Sequence, residues 1–346
     1  MSETTAGAPA ITRRARPGAL VATDPDWAPR GLPALVRATV PDLDLAQWVA
    51  GNKAALDALA RTAGAVLLRD FAVTGPDDFR SVMSALSDQV LDYGERSSPR
   101  SEVVEGVYTS TDHPADQPIV LHNEQSYTLN WPLRIVFFCQ TAPDEGGRTP
   151  LADSRRVLAR LRPETVARFE DLGVRYVRNY QPGLSLPWQE VFGTESRADV
   201  EEYCLRRRIG FEWIGAHGLR TSQVRPAVHT HPVTGERTWF NHALFFHVTS
   251  LPPEVSAGLR EALPPEELPY NTYYGDGSPI TDDVLAELRA AYEAETTGFD
   301  WRRGDVLVVE NMLAAHGRDP FRGDRRILAA MADPSGQDPF GSGESA

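Results

Sequence analysis

In the stretch "LHNEQSY", residues 121–127, His122 and Glu124 stand two positions apart in a run that otherwise reads as a strand. Side chains at i and i+2 of a strand share a face, so this imidazole and this carboxylate can converge on one ion. Two histidines and one carboxylate on one side of a divalent metal, with the other positions open, form a donor set used for oxygen chemistry. A lone H-x-E is more often ordinary surface decoration, so a third ligand decides the matter. The chain has eight histidines, at 113, 122, 217, 229, 231, 242, 247 and 316. His316 stands out by context. It follows the apolar run "DVLVVEN" and lies in "NMLAAHGRDPF", at a strand-to-loop junction where a side chain is both rigidly supported and reachable. His229 and His231 also form an i, i+2 pair, but Pro232, Thr234 and Gly235 make a hairpin tip the plainer reading. His242 and His247 flank an aromatic run and read as packed. His113 precedes a proline in a loop and reads as exposed.

These residues need a scaffold. "DLAQWVAGNKAALDALARTAG" has helical spacing and closes on Gly64. It leads into the apolar "AVLLRDFAV", suited to a buried strand, and then a second helix in "GPDDFRSVMSALSDQV". Beyond that the texture changes to short β-branched and aromatic runs: "IVLHNEQSY", "LRIVFFCQTA", "TWFNHALFFHVT", "DVLVVEN" and "RRILAAM". Turn-forming residues separate them, as in a sandwich or jelly roll. Helical patterns in "DSRRVLARLRPETVARFEDLG" and "ITDDVLAELRAAYEAET" interrupt the strands. The fold class expected is mainly β with flanking helices. Residues 1–17 and 334–346 are expected to be disordered tails around a single domain, 18–333. The Pro- and Gly-rich segment 179–202 reads as a long irregular insertion, a lid candidate.

Composition narrows the function. Of 346 residues, 48 are Asp or Glu and 35 are Lys or Arg, a formal charge of −13. Such a surface repels phosphate backbones and anionic lipid, which argues against broad nucleic-acid or membrane-surface binding. Cys139 and Cys204 have no paired spacing, which excludes a disulfide scaffold and a Cys-rich zinc site. No apolar run approaches the roughly 18 residues of a membrane span, and the N-terminus lacks the apolar core of a signal peptide. A cytoplasmic protein is the default expectation.

Taken in order, "LHNEQSY", "EGGRTPLADSRRVLARL", "WFNHALFFHV" and "GDVLVVENMLAAHGRDPFRGDRRILAAM" resemble the TauD/TfdA family of iron(II)- and 2-oxoglutarate-dependent oxygenases. The likeness runs from about Gly64 to Asp333 and is nearest to the branch similar to the syringomycin-cluster aspartyl hydroxylase. The resemblance implies a double-stranded β-helix, a cupin-like jelly roll, with His122, Glu124 and His316 as iron ligands. Many members carry Asp where this chain has Glu124. The cosubstrate 2-oxoglutarate needs a cation for its far carboxylate, and an arginine fork suits it. Arg325 and Arg326 are adjacent on an expected strand and face opposite ways, so only one can point inward. The pattern that follows favours Arg325, with Arg326 as the alternative. Thr149, in "GGRTP", matches the family's hydroxyl partner to the same carboxylate.

The resemblance also bears on the reaction, which consumes O2. Sulfonate- and aryloxyacetate-oxidising members hold the substrate anion with a second arginine, four residues after the first. Ala329, or Ala330 in the other register, stands there, which argues against taurine-like substrates. Halogenating members replace the carboxylate ligand by a small residue, so Glu124 points to hydroxylation, with desaturation or ring closure as alternatives. The expected substrate is an amino acid of peptide natural-product biosynthesis, free or held on a carrier protein. Arg206, Arg207 and Arg208 offer local positive charge for such a carrier. Gln125, Tyr127 and Asn241 are candidate substrate contacts. A homo-oligomer is compatible with the family. A zinc hydrolase, or a non-catalytic binding module on the same barrel, is the rival class; Thr149 and Arg325 argue against the first and the intact ligand set against the second.

Overall fold

The structure is a computed structural model that describes residues 19–91, 102–110, 113–181, 183 and 185–335. The expected tail 1–17 lies outside these residues, as does 336–346. The expected tail boundary at 334 is corrected: the last strand runs to Pro334, which pairs with Pro132, and the Ser335 N–H donates to the Trp131 carbonyl.

The chain is mainly β, with eight α-helices among the described residues. A nine-stranded sheet forms the floor. Its central strands are Ala65–Arg69, Val306–Glu310, Pro132–Thr141 and Arg326–Pro334, neighbours in that order and all antiparallel. They are the near-continuous apolar runs of the sequence because both faces are covered. Val66, Leu68, Val136, Phe138, Val306 and Val308 pack against helices Leu45–Ala63 and Pro76–Leu86. The alternate residues Leu67, Ile135, Phe137, Leu307 and Val309 face the other way, toward Phe299 and Trp301. The first helix is capped by Asp44, whose carboxylate accepts the Gln47 N–H at 2.9 Å, and ends at Gly64. Gly64 has φ +86°, a left-handed conformation that favours glycine.

A three-stranded sheet carries the candidate chemistry, with Ala314–Arg318 between Leu151–Asp153 and Ile119–His122. A four-stranded sheet, Gly210–Ile214, Gly218–Arg225, Val174–Tyr180 and Tyr270–Tyr274, forms a separate layer. The segment 179–202 is less irregular than its composition suggests. It holds the end of a strand and helix Trp188–Phe192, and it enters helix Arg197–Arg206. Trp188, Val191 and Val200 make a small core with Leu219. The expected strand in "TWFNHALFFHVT" stops at Trp239, because Asn241 folds the chain into turns. Its side-chain NH2 donates to the Ala227 carbonyl and its side-chain oxygen accepts the Ala243 N–H. The single helical pattern after Asp153 becomes two helices, Ser154–Arg160 and Pro163–Leu172, because Pro163 starts a new one.

The floor is tied to the segment before it by a buried, bidentate ion pair. Arg69 Nε and Nη2 reach the two carboxylate oxygens of Asp305 at 2.9 and 2.6 Å. The two side chains are 4% and 1% exposed. Asp305→Asn leaves a buried guanidinium without its counter-charge, and is expected to cost about 3–5 kcal/mol. Denaturant unfolding of the metal-free protein measures this; a loss below ~1 kcal/mol would show that the pair is not structural.

Candidate active site

The strand Ala314–Arg318 pairs with both of its neighbours at the same residue. His316 lies opposite His122 on one side and opposite Leu151 on the other. This register brings the two imidazole rings to a centroid distance of 4.6 Å. Glu124 does not sit on the strand, as the i, i+2 argument supposed. The strand ends at His122, and Glu124 opens a turn in which Gln125 has φ +54°. Even so, one ligand atom from each of His122, Glu124 and His316 lies within 4.8 Å of the others. Two imidazole nitrogens and a carboxylate oxygen at this spacing suit a single divalent cation. The His122 Nδ1 is 3.0 Å from the Val120 carbonyl. A carbonyl only accepts, so Nδ1 carries the proton and Nε2 keeps its lone pair for a metal.

Asn311 holds the turn in place. Its side-chain oxygen accepts the Glu124 N–H at 2.7 Å, and its NH2 donates to the Glu124 carbonyl at 2.8 Å and to the Pro132 carbonyl at 2.8 Å. Its own carbonyl accepts from the Asn123 side chain at 2.6 Å, and that side chain also reaches Ser154 Oγ. Asn123 therefore points away from the ligands, into a polar seam. Asn311 was not among the candidates read from the sequence, although it closes the run "DVLVVEN".

A cavity of about 550 Å³ opens beside the ligands. His122, His316, Thr149, Arg318 and Arg325 line one part, and Phe245, Phe246, Leu251, Pro252 and Tyr270 another. Arg325 and Arg326 are separated as the sequence argument required: Arg325 lines the cavity, while Arg326 begins the strand and is exposed. Arg325 lies just before the strand, not within it. Its Nε donates to the Gly147 carbonyl at 3.0 Å, which leaves the outer guanidinium nitrogens for a ligand. Gly147 has φ +64°, and a Cβ there would sit 2.8 Å from Pro143 Cγ and 3.1 Å from Arg325 Cδ. The "GGRT" segment thus makes room for the arginine, accepts its Nε–H and supplies the Thr149 hydroxyl.

Burial, then the neighbouring Arg318, pushes the Arg325 pKa down to about 10. The guanidinium stays protonated at neutral pH, and its charge makes the cavity attractive to an anion. Arg318, 4% exposed, donates to the carbonyls of His113, Pro114 and Gln117, which ties the loop before Ile119 to the strand that carries His316.

The other sequence candidates lie elsewhere. None of Gln125, Tyr127 and Asn241 lines the cavity. Tyr127 is buried against Tyr176, His242 and Phe246. Asn241 makes the turn bonds given above. No described residue of 179–202 lines the cavity either; its rim includes Ser250, Pro252 and Pro253 instead. His231 accepts two turn N–H groups, from Val233 and Thr234, and His229 packs on Trp131 and Phe240. His242 lies behind His122, its ring tilted 56° with centroids 5.7 Å apart, and is bonded to Ser126 Oγ at 2.6 Å. Burial, then the charges of His122 and Arg178, holds its pKa well below the usual histidine value.

Two strand-borne histidines and a carboxylate from the adjoining turn, beside an arginine-lined cavity, form the arrangement of a metal-dependent oxygenase. The profile of the family "Taurine catabolism dioxygenase TauD, TfdA family" matches residues 29–331. The chain belongs to this family of iron(II)- and 2-oxoglutarate-dependent oxygenases. It is 38% identical over 299 residues to the dapdiamide synthesis protein DdaC of Enterobacter agglomerans, covering 86% of this chain and 90% of that one. It is 30% identical over 295 residues to a clavaminate synthase-like protein of Arabidopsis thaliana, covering 82% and 86%. Among solved structures it is similar in fold to PvcB from Pseudomonas aeruginosa, with a TM-score of 0.54 at 17% identity, over 93% of this chain and 94% of that one.

Asn311→Ala removes both bonds to the Glu124 backbone. It is expected to weaken divalent-metal binding by about 10–100-fold, as loss of a partner that orients a ligand typically does. Anaerobic equilibrium titration with iron(II) measures this, with circular dichroism confirming that the fold is kept; unchanged affinity in a folded variant would count against the clamp.

Proposed function

We propose that His122, Glu124 and His316 hold the iron, that Arg325 with Thr149 holds the far carboxylate of 2-oxoglutarate, and that the enzyme hydroxylates an unactivated C–H of an amino-acid-like substrate. The observation that carries this reading is the juxtaposition of the three ligand atoms, within 4.8 Å, with a cavity whose described charged lining is cationic or imidazole. When bound, iron(II) and 2-oxoglutarate draw on O2 to break a substrate C–H bond, with 2-oxoglutarate converted to succinate and CO2. The chain's own part is to bind, orient and exclude water. Arg325 offers a planar pair of donors, and its fork is aimed by the bond to Gly147. Arg326 has no such access. Phe245, Phe246, Leu251 and Tyr270 give the rest of the cavity an apolar wall that can hold a substrate carbon and keep water out.

The substrate class rests on the relatives. DdaC is a synthesis protein of dapdiamide, and a second PvcB structure is of an "Fe, alpha-ketoglutarate dependent oxygenase from an isonitrile synthetic pathway". Both support a role in small-molecule biosynthesis. Glu124 supports hydroxylation over halogenation, because a coordinating carboxylate leaves no place for a halide. We further propose that the floor and the small ligand-bearing sheet are the two faces of a double-stranded β-helix. The substrate can be free or held on a carrier protein, and the chain can act as a homo-oligomer in the cytoplasm. No helix among the described residues is long and apolar enough to cross a membrane.

Anaerobic addition of iron(II) and then 2-oxoglutarate should produce a visible charge-transfer band, which His122→Ala should abolish. A wild-type protein without the band would remove the cosubstrate reading. Succinate release over a panel of free and carrier-bound amino acids tests the substrate class; silence across the panel would overturn it. Arg325→Met should raise the thermal stability of the ligand-free protein, since it removes a half-buried cation that no described carboxylate pairs with. The same change should abolish the stabilisation that 2-oxoglutarate confers on the metal-loaded wild type. Equal 2-oxoglutarate stabilisation in both proteins would reassign the carboxylate to another cation.

A further inference from the structure

Thr149 has one hydroxyl proton and two lone pairs, and what it offers the cavity depends on how they are distributed. The Trp301 indole N–H donates to Thr149 Oγ at 3.1 Å, with both groups buried. An indole N–H can only donate, so it occupies a lone pair of the hydroxyl and never its proton. Among the described residues no group accepts that proton. Thr149 lines the cavity, so the proton is left for whatever anion lies there.

We infer that Trp301 is a positioning residue for the cosubstrate: it fixes the Thr149 hydroxyl as a hydrogen-bond donor toward the carboxylate held by Arg325. The inference rests on the cosubstrate assignment proposed above. Without Trp301 the hydroxyl rotor is free to turn a lone pair toward the anion, which repels it. With Trp301 the rotor is set before the ligand arrives, and the ordering cost is already met within the folded protein. The indole is itself held: it is 6% exposed and packs edge-on against Phe299, with ring centroids 4.8 Å apart. Its segment leads directly into Asp305, whose carboxylate accepts the Arg302 N–H at 2.7 Å and is bound by Arg69. The buried ion pair of the floor therefore also anchors the residue that orients Thr149.

The test is a double-mutant cycle read by equilibrium binding of 2-oxoglutarate to the full chain loaded anaerobically with iron(II). Trp301→Phe keeps an aromatic ring and removes the N–H; it should weaken 2-oxoglutarate binding about three- to tenfold. Thr149→Val, nearly isosteric, should weaken it about 10–100-fold. The double variant should bind no more weakly than Thr149→Val alone, because Trp301 acts through that hydroxyl. Iron(II) affinity should be unchanged throughout. If Trp301→Phe leaves 2-oxoglutarate affinity intact while Thr149→Val lowers it, or if the two losses multiply, the inference is wrong and the cosubstrate assignment stands. If Thr149→Val has no effect, both fall. A tryptophan analogue at position 301 with sulfur in place of the indole N–H keeps the ring shape. Should Trp301→Phe melt early, that analogue must show the same three- to tenfold loss for the inference to survive.

Discussion

The register that sets His316 opposite His122 is the constraint on which the site depends. The two residues are almost two hundred positions apart, and a slip of one residue would turn the His316 side chain to the other face of its sheet. The register is held from both sides. Leu151–Asp153 pairs with the same strand at His316, Ala315 and Ala314, so the strand cannot shift without breaking two ladders. Arg318, two residues on, adds three bonds to the loop that precedes Ile119. The alternation of strand side chains then puts His316 and Arg318 on the cavity side together.

Around that register, polar groups are fixed by backbone partners more than by one another. Glu124 is placed through its own N–H and C=O, both bound by the Asn311 amide. Arg325 is aimed by the Gly147 carbonyl, and His122 has its tautomer set by the Val120 carbonyl. A backbone carbonyl carries no net charge, so it orients Arg325 without neutralising it. The guanidinium therefore keeps its charge for an anion. Burial makes this costly, as the lowered pKa of Arg325 records, and a site that is costly when empty favours occupancy when its ligands are present.

Much of this was legible from residue types and spacing. The helix ending at Gly64, the apolar floor strands, and the donors His122, Glu124 and His316 could be picked out because each signal is local or sits in a telling context, whereas Thr149 and Arg325, which line the cavity, were picked out through the family resemblance. The candidates that do not line the cavity have a common reason too. Gln125, Tyr127 and Asn241 were chosen because they neighbour functional or aromatic runs, and neighbours in sequence turned away once the chain left the strand. "TWFNHALFFHVT" has strand-like composition, yet the side-chain amide of Asn241 competes with the ladder and makes a turn. The Pro- and Gly-rich segment 179–202 folds its own small core away from the cavity.

By itself, then, the sequence determined the mainly-β class and the donor types, since composition and periodicity act along the chain. Tertiary structure alone decided that Arg325 is aimed from just before its strand, that Glu124 reaches the histidines from a turn, and that Asn311, Gly147 and Trp301 surround the candidate groups. Those facts depend on contacts between segments far apart in the chain, 187 residues in the case of Glu124 and Asn311. No pattern within a short window encodes such a contact, because its partners are brought together only by the closing of the sheets.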